Sequence, residues 1–107
     1  MVTFGVVKHI LVTGKNLFIM SLPFKEEKIS ENTFIRTFYQ DVDSGELTWH
    51  RDFEDRIIES IGETDWKFQI DDKLPINIEG EIFIPKGVYH RIIKGKGDLK
   101  IKLKKSN

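Results

Sequence analysis

The sequence predicts an all-β protein in which antiparallel strands form a single barrel or sandwich with little or no helix. Roughly eight to ten short apolar segments are separated by turn-forming residues at near-regular spacing, which favours antiparallel neighbours over βαβ units. No segment has the spacing of apolar residues that is typical of an amphipathic helix. A length of 107 residues is enough for one domain with one core.

The composition excludes several classes of protein. The 17 basic and 17 acidic residues balance, so the chain has no general attraction for nucleic acid or anionic membranes. The absence of cysteine excludes disulfides and thiolate chemistry. Neither a signal peptide nor an apolar run long enough to span a bilayer is visible, so we expect a cytoplasmic protein without a membrane partner.

The first 32 residues are predicted to pack on a barrel formed by residues 33–107, within one domain overall. Two apolar runs within residues 6–20 predict two strands, joined by a hairpin connection at residues 13–16. Pro23 and the charged run that follows it predict that residues 21–32 form a loop.

Strand and turn patterns alternate in the barrel region. Residues 41–45 contain the Asp and Gly residues that favour a turn. The apolar residues from Trp66 to Ile70 alternate with polar ones, as on a strand with one buried face. The predicted strands cover residues 33–40, 46–50, 56–61, 66–70, 76–78, 81–84, 90–93 and 99–103.

Residues 81–93 are the most informative stretch. An apolar strand is followed by a turn containing Pro85 and Gly87, and a second strand then begins at His90. The turn residues set a bend between the strands, so we expect the imidazole of His90 to point into the barrel.

Two motifs make the chain resemble the cupin superfamily, in particular small single-domain cupins of uncharacterised type from bacteria and phages. Gly80-x4-Pro85-x-Gly87-x2-His90 resembles the second cupin motif, G-x5-P-x-G-x2-H-x3-N. Upstream, Gly45-x4-His50-x-Asp52-x3-Arg56 stands in the place of the first, G-x5-H-x-H-x3,4-E-x6-G. The resemblance covers residues 33–103 and implies an RmlC-like jelly roll.

The resemblance also implies a metal site, with two departures. In metal-binding cupins, two histidines and a glutamate of the first motif join the histidine of the second around a divalent ion. By position, His50 matches the first of these histidines and His90 matches the last. Asp52 replaces the second histidine, and Arg56 replaces the glutamate.

The chemistry of these residues leaves the metal open. His50, Asp52, Glu54 and Arg56 have one parity, so an extended chain points all four to one side of a sheet. His50 and His90 with one carboxylate, Asp52 or Glu54, would suit one divalent ion of Zn, Fe, Mn or Ni. Arg56 argues against an ion in its immediate neighbourhood, because the guanidinium stays charged and repels a cation.

Three functions follow from these alternatives, and the sequence does not decide whether the chain is an enzyme. In an enzyme, the ion would act on a small polar molecule while Arg56 anchors its negative charge. In a metal-free binding protein, Arg56 and Glu54 would recognise a small polar or anionic molecule, with Gln69 if its side of the strand faces inward. In a structural protein, the polar cluster would only satisfy itself.

The residues beside the two histidines predict an assembly. Trp49, Tyr89 and Arg91 should face away from the barrel interior, opposite to the histidines. These residue types are enriched at protein–protein interfaces, so we expect a homodimer.

Overall fold

The computed structural model describes residues 6–13, 16–44 and 47–106, with side chains from residue 23 onward. These residues contain nine strands and the connections between them. The strands are β1 (Val6–Thr13), β2 (Asn16–Ser30), β3 (Thr33–Phe38), β4 (Arg56–Ser60), β5 (Lys67–Ile70), β6 (Ile76–Asn77), β7 (Glu81–Ile84), β8 (His90–Ile93) and β9 (Leu99–Lys105). Within these ranges there is no α-helix, and hence none long and apolar enough to cross a membrane.

The strands form two antiparallel sheets with long crossovers between neighbours. The larger sheet has the order β1-β2-β3-β9-β4-β7, and the smaller one has the order β6-β5-β8. Strands distant in sequence, such as β3 and β9, are hydrogen-bonded neighbours, as in the two-sheet jelly rolls of Greek-key proteins. The prediction of an all-β, antiparallel fold is confirmed.

The core lies between the two sheets. The larger sheet contributes the alternate residues Leu99, Ile101 and Leu103 of β9, each at most 2% exposed, while the intervening lysines face solvent. The smaller sheet contributes Phe68, and Trp66 packs just before it with no exposed surface. The alternation of apolar residues and lysines along β9 therefore does separate a buried face from a solvent-exposed face.

The loop predicted for residues 21–32 is wrong, because β2 continues to Ser30 and pairs with β3 from Phe24↔Phe38 to Ser30↔Thr33. Pro23 is tolerated because the register against β1 shifts next to it, where a missing N–H costs no ladder bond. The charged residues of this segment alternate across the two faces of the strand rather than breaking it. The boundary at residue 32 stays a prediction, and Gly14 and Lys15 of the predicted hairpin lie outside the described residues.

The strand predicted for residues 46–50 is also wrong. Of its described residues, only His50 forms a β-bridge, and that bridge is isolated. Residues 47–55 instead form an irregular connection. The carbonyl group of Asp52 and the carboxylate of Asp55 accept hydrogen bonds from the turn before β8, so they are not paired with a neighbouring strand. Gly45 and Glu46 lie outside the described residues.

Truncation of the core face of β9 should destabilise the protein far more than truncation of its wet face. Leu99 is fully buried and does not line the cavity described below, so Leu99→Ala should lower the free energy of unfolding by about 2–5 kcal/mol. The neighbouring exposed Lys100→Ala is the matched control and should change it by less than about 0.5 kcal/mol. Urea unfolding with an unchanged m-value measures both, and equal losses would contradict the face assignment.

Candidate functional site

The two histidines of the site are brought together by the main chain. His50 and His90 exchange both backbone hydrogen bonds, with N···O distances of 3.0 and 2.8 Å. Residues paired in this way in antiparallel chains place their side chains on the same face. The imidazole centroids are accordingly 4.3 Å apart in an edge-to-face arrangement.

Further contacts fix the 47–55 connection to the turn that precedes β8. The Gly87 N–H donates to the Asp52 carbonyl at 2.8 Å, and the Lys86 N–H donates to the Asp55 carboxylate at 2.8 Å. Gly87 has a φ of 81° at the third position of the 85–88 turn, which a type II turn requires and a side chain would disfavour. Pro85 and Gly87 thus have the bending role that the sequence predicts, and the bend sets Asp52 beside His90.

These residues open into a cavity of about 260 Å³ between the sheets. His90 lines it and is only 4% exposed, whereas His50 is an exposed residue. Most of the wall is apolar, and the polar side chains are concentrated in a few positions. The polar lining consists of Arg36, Thr48, His50, Arg56 and His90, and the apolar lining includes Phe24, Phe38, Ile58, Phe68, Ile84 and Ile92.

Hydrogen bonds to the backbone decide which imidazole nitrogens are available. Nδ1 of His50 lies 3.1 Å from the Thr48 carbonyl oxygen, and Nδ1 of His90 lies 3.0 Å from the Val88 carbonyl oxygen. A carbonyl only accepts hydrogen bonds, so each Nδ1 carries a proton and donates it. In its neutral form each ring therefore presents Nε2 as a lone-pair donor, which is the arrangement usual in metal-binding histidines.

Asp52 completes a set of three side chains that could hold a metal ion. A ligand atom of each of His50, Asp52 and His90 lies within 4.8 Å of those of the other two. Asp52 Oδ2 is 3.2 Å from His90 Nε2, yet it is a buried oxygen without a hydrogen-bond partner. Two lone-pair atoms thus face each other at short range in a buried place, an arrangement that a cation or an added proton would relieve.

Arg56 lies behind the carboxylate rather than among the three donors. Its Nη2 is 3.3 Å from Asp52 Oδ1, the oxygen that does not face His90, and its Nε is 3.3 Å from Glu54 Oε2. Burial raises the pKa of Glu54, but the charge and hydrogen bond of Arg56 lower it more, so that the pKa lies below its ordinary value. Glu54 is thus occupied by Arg56, and of the two carboxylates considered as ligands Asp52 is the one beside the histidines.

Gln69 is not brought to the cavity, so its predicted place among the binding residues is not supported. Its Oε1 accepts a hydrogen bond from Arg91 Nε at 2.9 Å, and its Nε2 donates to the Lys73 carbonyl at 3.0 Å. Phe68 precedes it and does line the cavity, so Gln69 points the other way because side chains alternate along β5.

Trp49, Tyr89 and Arg91 lie outside the cavity, as the sequence predicts. Trp49 and Tyr89 are 40% and 44% exposed, and none of the three belongs to the cavity lining. The Arg91 guanidinium lies 4.8 Å from the centre of the Trp49 ring, within the range of a cation–π contact. The homodimer that these residues suggested stays a prediction.

The sequence motifs missed a second, partly buried ion pair, one member of which lines the cavity. Arg36 Nε donates a hydrogen bond to Glu26, and their side chains are 15% and 22% exposed. Both residues lie outside the two motifs, and Glu26 lies in the segment predicted to be a loop. The alternation of Arg36 with Phe34 and Phe38 was the available signal, because it puts all three side chains on one face of β3.

Burial and neighbouring charge disfavour the protonated form of the second histidine. Burial of the ring lowers the pKa of His90, and His50 and Arg56 lower it further. The Val88 carbonyl and Asp52 oppose this effect, but the pKa still lies below its ordinary value of 6.5. A neutral imidazole beside a carboxylate therefore describes the metal-free site near neutral pH.

Comparison with solved structures identifies the fold. A chain from the crystal structures of the DMSP lyases RdDddP and RnDddQII superposes with a TM-score of 0.59 at 10% identity, covering 70% of this chain and 37% of that one. A cupin-2 domain protein from Shewanella frigidimarina gives 0.53 at 20% identity, covering 75% and 76%. The Fe(II) form of HppE gives 0.56 at 13% identity, covering 92% and 56%.

The chain has the cupin fold, which confirms at the level of structure the resemblance carried by the two motifs. It spans little more than a third of the length of the DMSP lyase chain and about half that of HppE. No family model matches the chain, and no curated protein matches it in sequence.

The lowered pKa of His90 gives a signed prediction for the metal-free protein. Because the folded pKa is below the unfolded value, the unfolded state binds the proton first as the pH falls through about 6.5. Stability that is fully present above this pH should therefore be lost toward lower pH, and His90→Gln should lose less over the same interval. Urea unfolding in chelator across this range measures the difference.

A direct titration checks the same point independently. The imidazole carbon protons of His90, followed by NMR in chelator, should titrate with a midpoint below the value found in urea-unfolded protein. A folded midpoint at or above the unfolded one would contradict the neutral assignment of His90.

Proposed function

We propose that this protein is a metal-binding cupin that holds one divalent cation at His50, Asp52 and His90, beside a cavity for a small polar or anionic molecule. The observation that carries the proposal is the buried Asp52 Oδ2, which faces His90 Nε2 without a hydrogen-bond partner. A cluster that merely satisfied itself would leave no such atom, since an unpaired buried polar group is costly.

The residues present fit a metal ion in three respects. Two imidazoles and one carboxylate form a mixed nitrogen and oxygen donor set. Both histidines are held through Nδ1 by backbone carbonyls, which leaves Nε2 free to coordinate. Arg56 engages only the rear oxygen of Asp52, so it orients the carboxylate and leaves Oδ2 to the ion.

Two histidines and one carboxylate with further positions open are the usual set of non-haem Fe(II) sites, although the same donors also accept Zn, Mn and Ni. When bound, such an ion would polarise an oxygen atom of a small molecule or activate water. The protein's own groups would supply the rest. The apolar wall would contact the body of the molecule, and Arg56 provides a positive charge within the cavity lining.

The proposed metal site predicts that metal binding depends on the carboxylate of Asp52 and not on that of Glu54. Protein stripped with chelator should bind Fe(II) under anaerobic conditions, or Zn(II), Mn(II) or Ni(II), with a gain in unfolding free energy of about 2.7 kcal/mol at one hundred times the dissociation constant. Asp52→Asn and His90→Gln should each weaken binding by at least the roughly 10–100-fold that loss of a supporting partner costs. Calorimetry and thermal unfolding measure both quantities.

Glu54→Gln is the matched control, since Glu54 is two residues from Asp52 and binds Arg56 but lies outside the three-residue cluster. It should leave metal affinity within the experimental spread of the unmodified protein. The proposal fails if the unmodified protein binds none of the four ions, or if Glu54→Gln weakens binding as much as Asp52→Asn. The first outcome would favour a metal-free binding or structural protein.

A further inference from the structure

Arg36 is an inward-facing cation in the middle of the larger sheet. In the ladder it stands between Glu26 of β2 and Ile101 of β9, and it lines the cavity. Its two neighbours on the same face of β3 are Phe34 and Phe38, both of which belong to or pack against the core. Burial lowers the pKa of Arg36, with smaller opposing contributions from Glu26. An arginine is rarely placed in such surroundings without a partner for its charge.

The hydrogen bonds of Arg36 leave part of its guanidinium available. Among the side chains that the structure describes, Glu26 is its hydrogen-bond partner and is engaged through Nε. The guanidinium carbon lies 4.2 Å from the centre of the Phe24 ring, so the flat group is held in a fixed orientation. Arg36 lines the cavity and Glu26 engages its Nε, so the terminal amino groups are the part of the guanidinium left to bind a ligand.

A second guanidinium lines the same cavity. Arg56 has a side chain 12% exposed, and its contacts to Asp52 and Glu54 are both 3.3 Å, longer than the usual charge-assisted hydrogen bond. Its charge is close enough to lower the pKa of Arg36. Two arginines therefore line one largely apolar cavity, and each of them also contacts a carboxylate.

The charged side chains around the cavity form a cluster in which a bound metal ion would call for an anion. The cations are Arg36, Arg56 and Lys105, and the carboxylates that interact with them are Glu26, Asp52 and Glu54. Three charges of each sign leave the cluster neutral, and a divalent ion would leave it at +2. Net charge in an apolar cavity is costly, and a bound anion would remove it.

The remainder of the cavity wall determines the rest of the ligand. Phe24, Phe38, Phe68, Ile58 and Ile92 surround the space beside the arginines. A volume of about 260 Å³ is just below the range of roughly 300–1,000 Å³ that is typical of sites for drug-sized molecules. The occupant must therefore be small, with an apolar body and one charged end.

We propose that the cavity binds a small organic oxyanion with an apolar body, a carboxylate or a phosphonate, and that Arg36 together with Arg56 holds its charged end. This inference deepens the proposed function and rests on it for the excess charge, while the role of Arg36 in binding can be measured without any metal. Arginine suits this task because its planar fork can donate two parallel hydrogen bonds to one oxyanion.

The experiment uses hexanoate and hexylphosphonate as probes, with hexanamide as the neutral analogue and acetate as the head group alone. Calorimetry on metal-free and metal-loaded protein should detect binding of at least one six-carbon anion, and much weaker binding of hexanamide and acetate. The relative affinity of the two anions identifies the preferred head group. Equal binding of hexanamide and hexanoate, with no binding of hexylphosphonate, would overturn the proposal.

Three variants separate recognition from structure. Arg36→Gln should weaken anion binding roughly ten- to hundredfold, as expected for loss of charge-assisted hydrogen bonds. Arg91→Gln is the matched control, because Arg91 stacks on Trp49 outside the cavity, and it should leave binding unchanged. Glu26→Gln keeps the Arg36 charge and should retain or tighten binding. Loss of binding in Glu26→Gln equal to that in Arg36→Gln would show a structural ion pair and overturn the proposal.

The double substitution Glu26→Gln and Arg36→Gln is the control for misfolding. It removes both members of the ion pair, so neither charge is left without its partner. If it folds and fails to bind the anion, the role of Arg36 is supported, and if it binds like unmodified protein, the role is refuted. Anion binding that depends on Arg36 in protein that takes up no metal would reject the metal site alone. Metal uptake without anion binding would reject this inference alone.

Discussion

The paired backbone hydrogen bonds between His50 and His90 are the constraint on which the site depends. They join an irregular connection to the first residue of β8, outside any continuous ladder. The pairing is made by the main chain, so it fixes the separation of the two Cα atoms, and the Nδ1 contacts with the carbonyl oxygens of Thr48 and Val88 then orient the rings. The contacts of Gly87 and Lys86 to the same connection then leave Asp52 little freedom. Positioning by backbone bonds is suited to a site whose donor atoms must converge on one point.

The sequence is informative wherever one residue pattern has one structural solution. The alternation along β9 and β5 predicts which residues are buried, and the spacing of Pro85, Gly87 and His90 predicts the turn and the inward histidine. The prediction of a loop at residues 21–32 is wrong because a run of charged residues is also compatible with a strand. In the fold, Glu26 pairs across the ladder with Arg36, a relation that exists only once the β2–β3 register is known. The position of Gln69 likewise depended on a choice of face that parity alone does not make.

Arg56 illustrates why a motif departure does not translate directly into loss of a site. Arg56 stands at the position of the cupin glutamate, and from this position alone we would expect it to repel a cation. Its observed contacts are with the rear oxygen of Asp52 and with Glu54, so two carboxylates offset its charge, although that charge still lowers the pKa of His90. The substitution therefore changes the charge around the proposed ion rather than the donors that would hold it.

This change of charge connects the proposed ion to the proposed ligand. A glutamate at this position would offset the charge of a divalent ion, whereas Arg56 and Arg36 add to it. The excess would be costly inside an apolar cavity, and an anion that reaches the arginines would remove it. On these proposals ion and anion would each raise the affinity of the protein for the other, and thermodynamic linkage requires the two effects to be equal. Selectivity for an oxyanion would then follow from the same substitution that at first counted against the metal.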